Sequence, residues 1–273
     1  MSSPLPESAA PITQIIGGIP YRMALAGGWI DQPFASRLNP SPPGAMLVVS
    51  LEPAFHFMDR AGMATSTRKA ARQAWGERLP ERPHPDLVRE LYRLENDDRP
   101  NPSGSQDMAG IIYPGISRLD YDYDIEGGVF PARVESCNDP LVIAWLERVL
   151  HILPVCPRPQ GYDPLIIRNL LPEWIARLGQ CGHAAFAAVL RCDAPALGAA
   201  MTGTMLCWKV LLPGNFEHPR LTMPLLPLLS YYQERYYGAA YSSCGGGYLY
   251  VVSDEEVPGA FHPIIRAEQS LHA

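Results

Sequence analysis

An α+β chain divided between two domains is what the sequence predicts, on three observations. Its 273 residues exceed the roughly 100–150 usual for one domain, and that length can bury a substantial core. Short β-branched runs and helical stretches occur in both halves. The 29 prolines gather in loop-like contexts such as Asn39-Pro40-Ser41-Pro42-Pro43, which argues for an irregular α+β chain and against a helical bundle. A Pro-rich turn after residue 152 puts the boundary near residue 145, giving domains 1–145 and 146–273.

The elements follow in order. Residues 1–10 are small and polar and are expected to be disordered. Ile19–Ala26 reads as a short strand ending at Gly27-Gly28. Residues 45–52, AMLVVSLE, form a buried strand by their β-branched content. Gly62-Met63-Ala64-Thr65-Ser66-Thr67 leads into a helix running to about residue 75. Asp86–Glu95 carries Leu87, Val88, Leu91 and Leu94 at helical spacing, and Asn96–Pro100 breaks it. Residues 140–152 read as helix or strand. Residues 164–179 are helical in their later part, followed by an Ala-rich segment from Gly182 to Leu190 and a helix after Asp193. Residues 221–237 are helical by composition but interrupted by Pro224 and Pro227. Gly245-Gly246-Gly247 before the hydrophobic run Tyr248–Ser253 marks a tight turn that another group approaches closely.

Composition narrows the function classes. With 47% hydrophobic and 18% charged residues, the chain reads as a folded globule. Its formal charge is −6, and its densest basic cluster, Arg68, Lys69 and Arg72, is one helix face; nucleic acid is therefore not an expected partner. Six cysteines without a CxxC pair predict reduced thiols rather than a disulfide framework or metal cluster. No signal-peptide pattern and no apolar run of about 18 residues is seen, so a cytoplasmic protein without a membrane partner is expected. Asp120, Asp122 and Asp124 lack calcium-loop spacing, and their alternation reads as a strand with one solvated face. The Tyr231-Tyr232 and Tyr236-Tyr237 pairs read as packing, and His151, His183 and His218 as structural or exposed.

Three small-residue segments attached to regular structure are candidates for chemistry. Thr65-Ser66-Thr67 stands where a helix begins; hydroxyls there cap free amides, and the same amides bind phosphate. Gly104-Ser105-Gln106-Asp107, with Glu95 upstream, offers two carboxylates, the division of labour that phosphoryl transfer needs. Gly245-Gly246-Gly247 is the third. Taken singly, each also fits a plain helix cap, a surface Glu and turn Asp, or a hairpin entry.

In their types and order these segments resemble the sugar-kinase branch of the GHMP kinase superfamily. Tyr21-Arg22 through Gly27-Gly28-Trp29-Ile30-Asp31 resembles that branch's opening strand and Gly-rich turn ending in Asp. Gly62–Thr67 resembles its phosphate-binding Gly-Leu-Gly-Ser-Ser motif, and Gly104–Asp107 the Gly-Lys-Gln-Asp segment of the heptose-kinase-like members. Ser243–Tyr248 is similar to its C-terminal Gly-rich motif, so the resemblance spans residues 19–252.

The resemblance implies a two-domain GHMP kinase-like fold with the active site in the cleft between the domains, and an ATP- and Mg²⁺-dependent kinase acting on a small polyhydroxylated substrate. Gly62, Ala64, Thr65, Ser66, Thr67 and Arg68 would hold the triphosphate; Ser66 and Glu95 would hold the metal. Asp107 would orient or deprotonate the acceptor hydroxyl, and Arg22 would stabilise the transferring phosphate. Gly28, Asp31, Gly104, Gln106 and the closing Gly245, Gly246 and Gly247 would contact the substrate; a homodimer is left open. There are departures. The interval from Asp31 to Gly62 is short, Ala64 replaces a Gly, Arg68 stands where a small residue is usual, and Ser105 replaces a Lys. They keep open a rival, a protein of this fold that binds a sugar-like metabolite without nucleotide or catalyses another transfer.

Overall fold

The run GAMLVVSL at Gly44–Leu51 (β2) is buried from end to end, as its uninterrupted apolar character requires when both faces of a strand are covered. It is an inner strand of an antiparallel sheet ordered β1-β2-β3-β4, with β1 at Tyr21–Ala26, β3 at Ile116–Tyr121 and β4 at Arg133–Cys137. A second antiparallel sheet is ordered β5-β7-β6, from Leu150–Cys156 (β5), Gly238–Ser243 (β6) and Gly246–Val252 (β7). The computed structural model describes residues 18–97 and 102–267. The expectations for residues 1–10, and for the helix break at 98–100, lie outside these.

Helices cover the sheets. In chain order they are α1 (Pro33–Ser36), α2 (Thr65–Trp75), α3 (His84–Asn96), α4 (Gln106–Ile112), α5 (Pro140–Val149), α6 (Pro172–Leu190), α7 (Ala194–Leu211) and α8 (Leu225–Arg235). Cap chemistry fixes several starts: Asp139 Oδ1 accepts from Leu141 N at 2.8 Å and Asp193 Oδ1 from Ala196 N at 3.0 Å, each with Pro in the first turn. Residues 140–152 resolve into both expected states, α5 running directly into β5. The Ala-rich segment is the second half of α6, because nothing between Gly179 and Gly182 stops the helix. Both glycines face β2, where an added Cβ would meet Gly44 and Ala45 backbone. Their lack of side chains lets α6 lie directly on the strand. Pro224 is the N-cap of α8 and Pro227 its third residue, so neither interrupts it.

The boundary expected at 145/146 falls inside α5. Buried hydrophobics of the two halves form one cluster, which joins Met46, Val48 and Leu119 to Ile175, Phe186 and Leu197. The aspartate alternation is also resolved differently. Asp120 is buried and paired with Arg118, while Asp122 belongs to a turn in which its Oδ1 accepts from Asp124 N at 3.0 Å. The strand has already ended at Tyr121. All six cysteines are free thiols. No helix among the described residues is long and apolar enough to cross a membrane.

After β7 the chain runs back over both sheets as a strap. Ile152 bridges to Phe261 and Leu51 to Ile265. Arg266 then donates to the carbonyls of Ile111 and Ile112, at 3.0 and 2.8 Å, and to Ser50 Oγ. Helix α4 is thereby fastened to β2 at the end away from its first residues, which carry Gln106 and Asp107.

Candidate active site

The segment Gly104–Asp107 shows residue by residue why these four types stand together. Gly104 has no side chain because the Asp31 carboxylate lies against its Cα, where a Cβ would overlap it. Ser105 is fully buried and hydrogen-bonds Tyr121 Oη at 3.0 Å, anchoring the start of α4 to β3. Gln106 Nε2 donates to Asp107 Oδ1 at 3.1 Å. Asp107 forms an ion pair with Arg22 of β1, their side chains 16% and 4% exposed. One turn later Gly110 occupies the same helix face, and a Cβ there would collide with the Arg22 stem. The Asp-x-x-Gly spacing thus seats the helix on Arg22 and aims the carboxylate at its guanidinium.

The opposite lip is the loop entering α2. Gly62 has φ +74° and meets the Ser242 carbonyl where a Cβ would stand. Its own carbonyl accepts from Arg22 Nη1 at 3.3 Å. Ser242 Oγ donates to Ala61 O at 2.6 Å and accepts from Tyr248 N at 2.8 Å, tying the loop to the β6–β7 hairpin. Ala64 caps the helix in the left-handed region, φ 54° and ψ 34°, a conformation that costs a residue with Cβ roughly 1–2 kcal/mol. Ala64→Gly should therefore stabilise the protein by roughly 0.5–1 kcal/mol after glycine's extra chain entropy. The check is a higher denaturation midpoint at unchanged slope; a lower one would contradict this account of the loop.

Beyond Ala64 the first amides of α2 lack intrahelical acceptors, as at any helix start. Ser66 Oγ donates to Glu95 Oε1 at 2.8 Å, and Ser103 Oγ approaches the same oxygen at 3.4 Å. A hydroxyl and a carboxylate 29 residues apart are thus brought together beside the phosphate-loop-like turn.

Both lips open on one cavity of about 740 Å³. Of the residues the sequence singled out, Arg22, Gly28, Asp31, Gly62, Ala64, Thr65, Ser66, Gly104, Gln106 and Asp107 line it, and Glu95 touches it through Ser66. Three groups of expected residues fall outside the cavity lining. Thr67 is fully buried and faces the core. Arg68 neither enters the cavity nor blocks it. It turns over the Tyr21 ring, 4.2 Å from its centroid, and donates to Ile19 O and Tyr21 Oη. Gly245, Gly246 and Gly247 all have positive φ but pack outside the cavity, against Tyr162, Cys156 and Ala61 O. Their neighbours Ser242, Ser243 and Cys244 form the wall instead.

The remaining lining was not anticipated, apart from Trp29. Trp29 is held at φ +86°, rare for a bulky residue, with its Nε1 on Cys244 Sγ at 3.2 Å. Trp208 donates to Gly28 O at 2.9 Å. Arg60, Arg158 and Arg168 supply positive charge. Arg60 donates to the carbonyls of Arg158 and Pro159, Arg158 to Cys244 O, and Arg168 lies over Phe34. The short interval before the loop is filled by aromatic packing of Phe57 on Tyr21 and Tyr248.

Electrostatics mark the cavity floor. Burial is the main influence on Asp31, raising its pKa to about 6 against the opposing pull of Arg22 and nearby backbone amides. Burial likewise lowers Arg22 to about 10, partly offset by Tyr250 and Asp31. Perturbed groups facing a cleft are the usual signature of a functional site.

The chain belongs to the α+β class in which two antiparallel sheets and their helices enclose such a cleft, and solved structures share its architecture. Galactokinase from Lactococcus lactis, complexed with galactose, superposes with a TM-score of 0.57 over 87% of this chain and 85% of that one, at 10% identity. A D-glycero-D-manno-heptose 1-phosphate kinase from Bacteroides thetaiotaomicron gives 0.53 over 91% and 95%, at 11% identity. Mevalonate diphosphate decarboxylase from Staphylococcus aureus gives 0.51 over 94% and 98%, at 12% identity. No family model matches the chain, and no curated protein does. The fold is that of the GHMP kinases.

Proposed function

We propose that this protein is a GHMP-type phosphotransferase that moves the terminal phosphoryl group of ATP to a hydroxyl of a sugar, sugar phosphate, cyclitol or polyol. One observation carries the reading: Ser66, bonded to Glu95, and Asp107, paired with Arg22, line the same cavity from two helix starts. A decarboxylase shares the fold, so the reaction has to be argued from residues.

Ser66 Oγ and Glu95 Oε1 are hard oxygen donors of the kind Mg²⁺ takes, and they would hold it beside the nucleotide phosphates. When bound, the ion neutralises phosphate charge. The amides of Thr65 and Ser66 would donate to those phosphates at the positive end of α2. Asp107 takes the acceptor's hydroxyl proton as the oxygen–phosphorus bond forms and the bond to the departing diphosphate breaks. Arg22 fixes the carboxylate and supplies charge where it develops. Asp31 accepts hydrogen bonds from substrate hydroxyls, and the Trp29 ring offers an apolar face. Arg60, Arg158 and Arg168 favour an acceptor that carries its own phosphate over a neutral one.

Calorimetry with ATP and Mg²⁺ tests the reading. Wild type should bind in the micromolar range, and Ser66→Ala should weaken binding by roughly tenfold, the worth of one polar contact to a charged group. A folded wild type that stays silent to millimolar nucleotide would sink the kinase and leave the rival, a sugar-like ligand bound without nucleotide.

A further inference from the structure

His151 has a partner that its sequence position gave no sign of. It begins β5 beside the strap, and its ring lies 4.5 Å, centroid to centroid, from that of His262. One ring nitrogen of each histidine and a carboxylate oxygen of Glu256 lie within 4.8 Å of one another. Both rings also engage backbone: His151 Nε2 meets Ser253 O at 3.3 Å, and His262 Nδ1 meets Leu150 O at 3.1 Å. A carbonyl only accepts, so these nitrogens carry the protons. The lone pairs therefore sit on His151 Nδ1 and His262 Nε2. A backbone carbonyl behind each imidazole is the support that metal-ligating histidines characteristically have.

We propose that His151 Nδ1, His262 Nε2 and Glu256 bind a divalent transition metal of the zinc type, with water as fourth ligand. Two histidines and a glutamate are a donor set zinc takes. Ligands at about 2.0–2.1 Å in a tetrahedron stand about 3.3 Å apart, so the trio must close by at most about 1.5 Å from its spacing of up to 4.8 Å. Glu256, exposed on the loop after β7, is free to make most of that movement. The site lies at the opposite end of β5 from Arg158 and the cleft. Its role is to fasten the strap, joining two strap residues to the start of β5.

The test uses the full-length protein, stripped of metal, without nucleotide, titrated with Zn²⁺ and separately with Co²⁺. One equivalent of Zn²⁺ should bind and raise the melting temperature by roughly 5 °C at a hundredfold excess over the dissociation constant. Glu256→Gln, at an exposed position, should weaken binding at least tenfold. His262→Gln should abolish both binding and the melting shift. The Co²⁺ form should show ligand-field bands without a thiolate charge-transfer band, which separates this site from the free cysteines. Failure of wild type to bind, a thiolate band, or binding unchanged in Glu256→Gln and His262→Gln would overturn the proposal. Since none of these readouts involves phosphoryl transfer, the outcome is independent of the kinase reading.

Discussion

Asp107→Asn should lower turnover by at least about 10³-fold while substrate and nucleotide affinities change only a few-fold. Removing a general base removes about 10²–10⁴ in rate. Here the same carboxylate is also the ion-pair partner of a buried arginine, so loss toward the upper end is expected. The Asn variant keeps the shape and the hydrogen bond from Gln106, which protects the geometry of the α4 start. Its cost in stability is moderated because Arg22 retains a second acid nearby, Asp31, and the Gly62 carbonyl. Arg22→Met should also be slow, and the double variant should be scarcely slower than the worse single one, as expected of residues that act as a unit. Steady-state kcat and KM for the three variants decide the matter. Near-normal turnover in Asp107→Asn would remove this carboxylate from the chemistry, and full additivity with Arg22→Met would dissolve the proposed pair.

How much of this site could be read from sequence depended on how locally each residue's partners lie. The strands β1 and β2 and the helices α2 and α3 announce themselves by period and apolar content, and the structure places them within two residues of expectation. Gly104–Asp107 was legible as chemistry because small and acidic residues stand together there, whereas the approach of Asp31 to Gly104 was not encoded locally. Arg68 was not legible. What decides its direction is Ile19 O and the Tyr21 ring, 49 and 47 residues upstream, and no local pattern encodes that approach. The triple glycine reads as a tight turn that another group approaches, and its closing role was implied only by the family resemblance. Its three positive φ values serve instead to bring β7 under Tyr162 and Ala61, and the cavity wall falls to the polar residues just before it. Arg60 and Arg158 meet at the cleft in a contact 98 residues apart in sequence. The Pro157-Arg158-Pro159 bracket was the one available hint, since prolines on both sides hold an arginine in a stiff segment.

The same burial that prepares Asp31 for a substrate should make it a liability for the fold. Its pKa is about 6 in the folded chain and near 3.9 when the chain unfolds. Between those values the folded state holds a proton that the unfolded state has released. Stability from this group is therefore present in full below about pH 4 and falls as pH rises to about 6. Above that the ionised, buried carboxylate costs about 3 kcal/mol, at about 1.4 kcal/mol per pH unit. Asp31→Asn cannot ionise, so it should match wild type near pH 4 and exceed it by roughly 2–3 kcal/mol at pH 7. Comparing the two proteins by denaturant unfolding across this range cancels other titrating groups, and parallel curves would refute the assignment. Substrate affinity should move the opposite way, because an amide presents one acceptor where the carboxylate presents two. A variant that is more stable at neutral pH yet binds the acceptor poorly is the pattern left when an acid is kept buried for its ligand rather than for the fold. An Asp31→Asn protein that gained stability and kept its affinity would place the substrate elsewhere in the cleft.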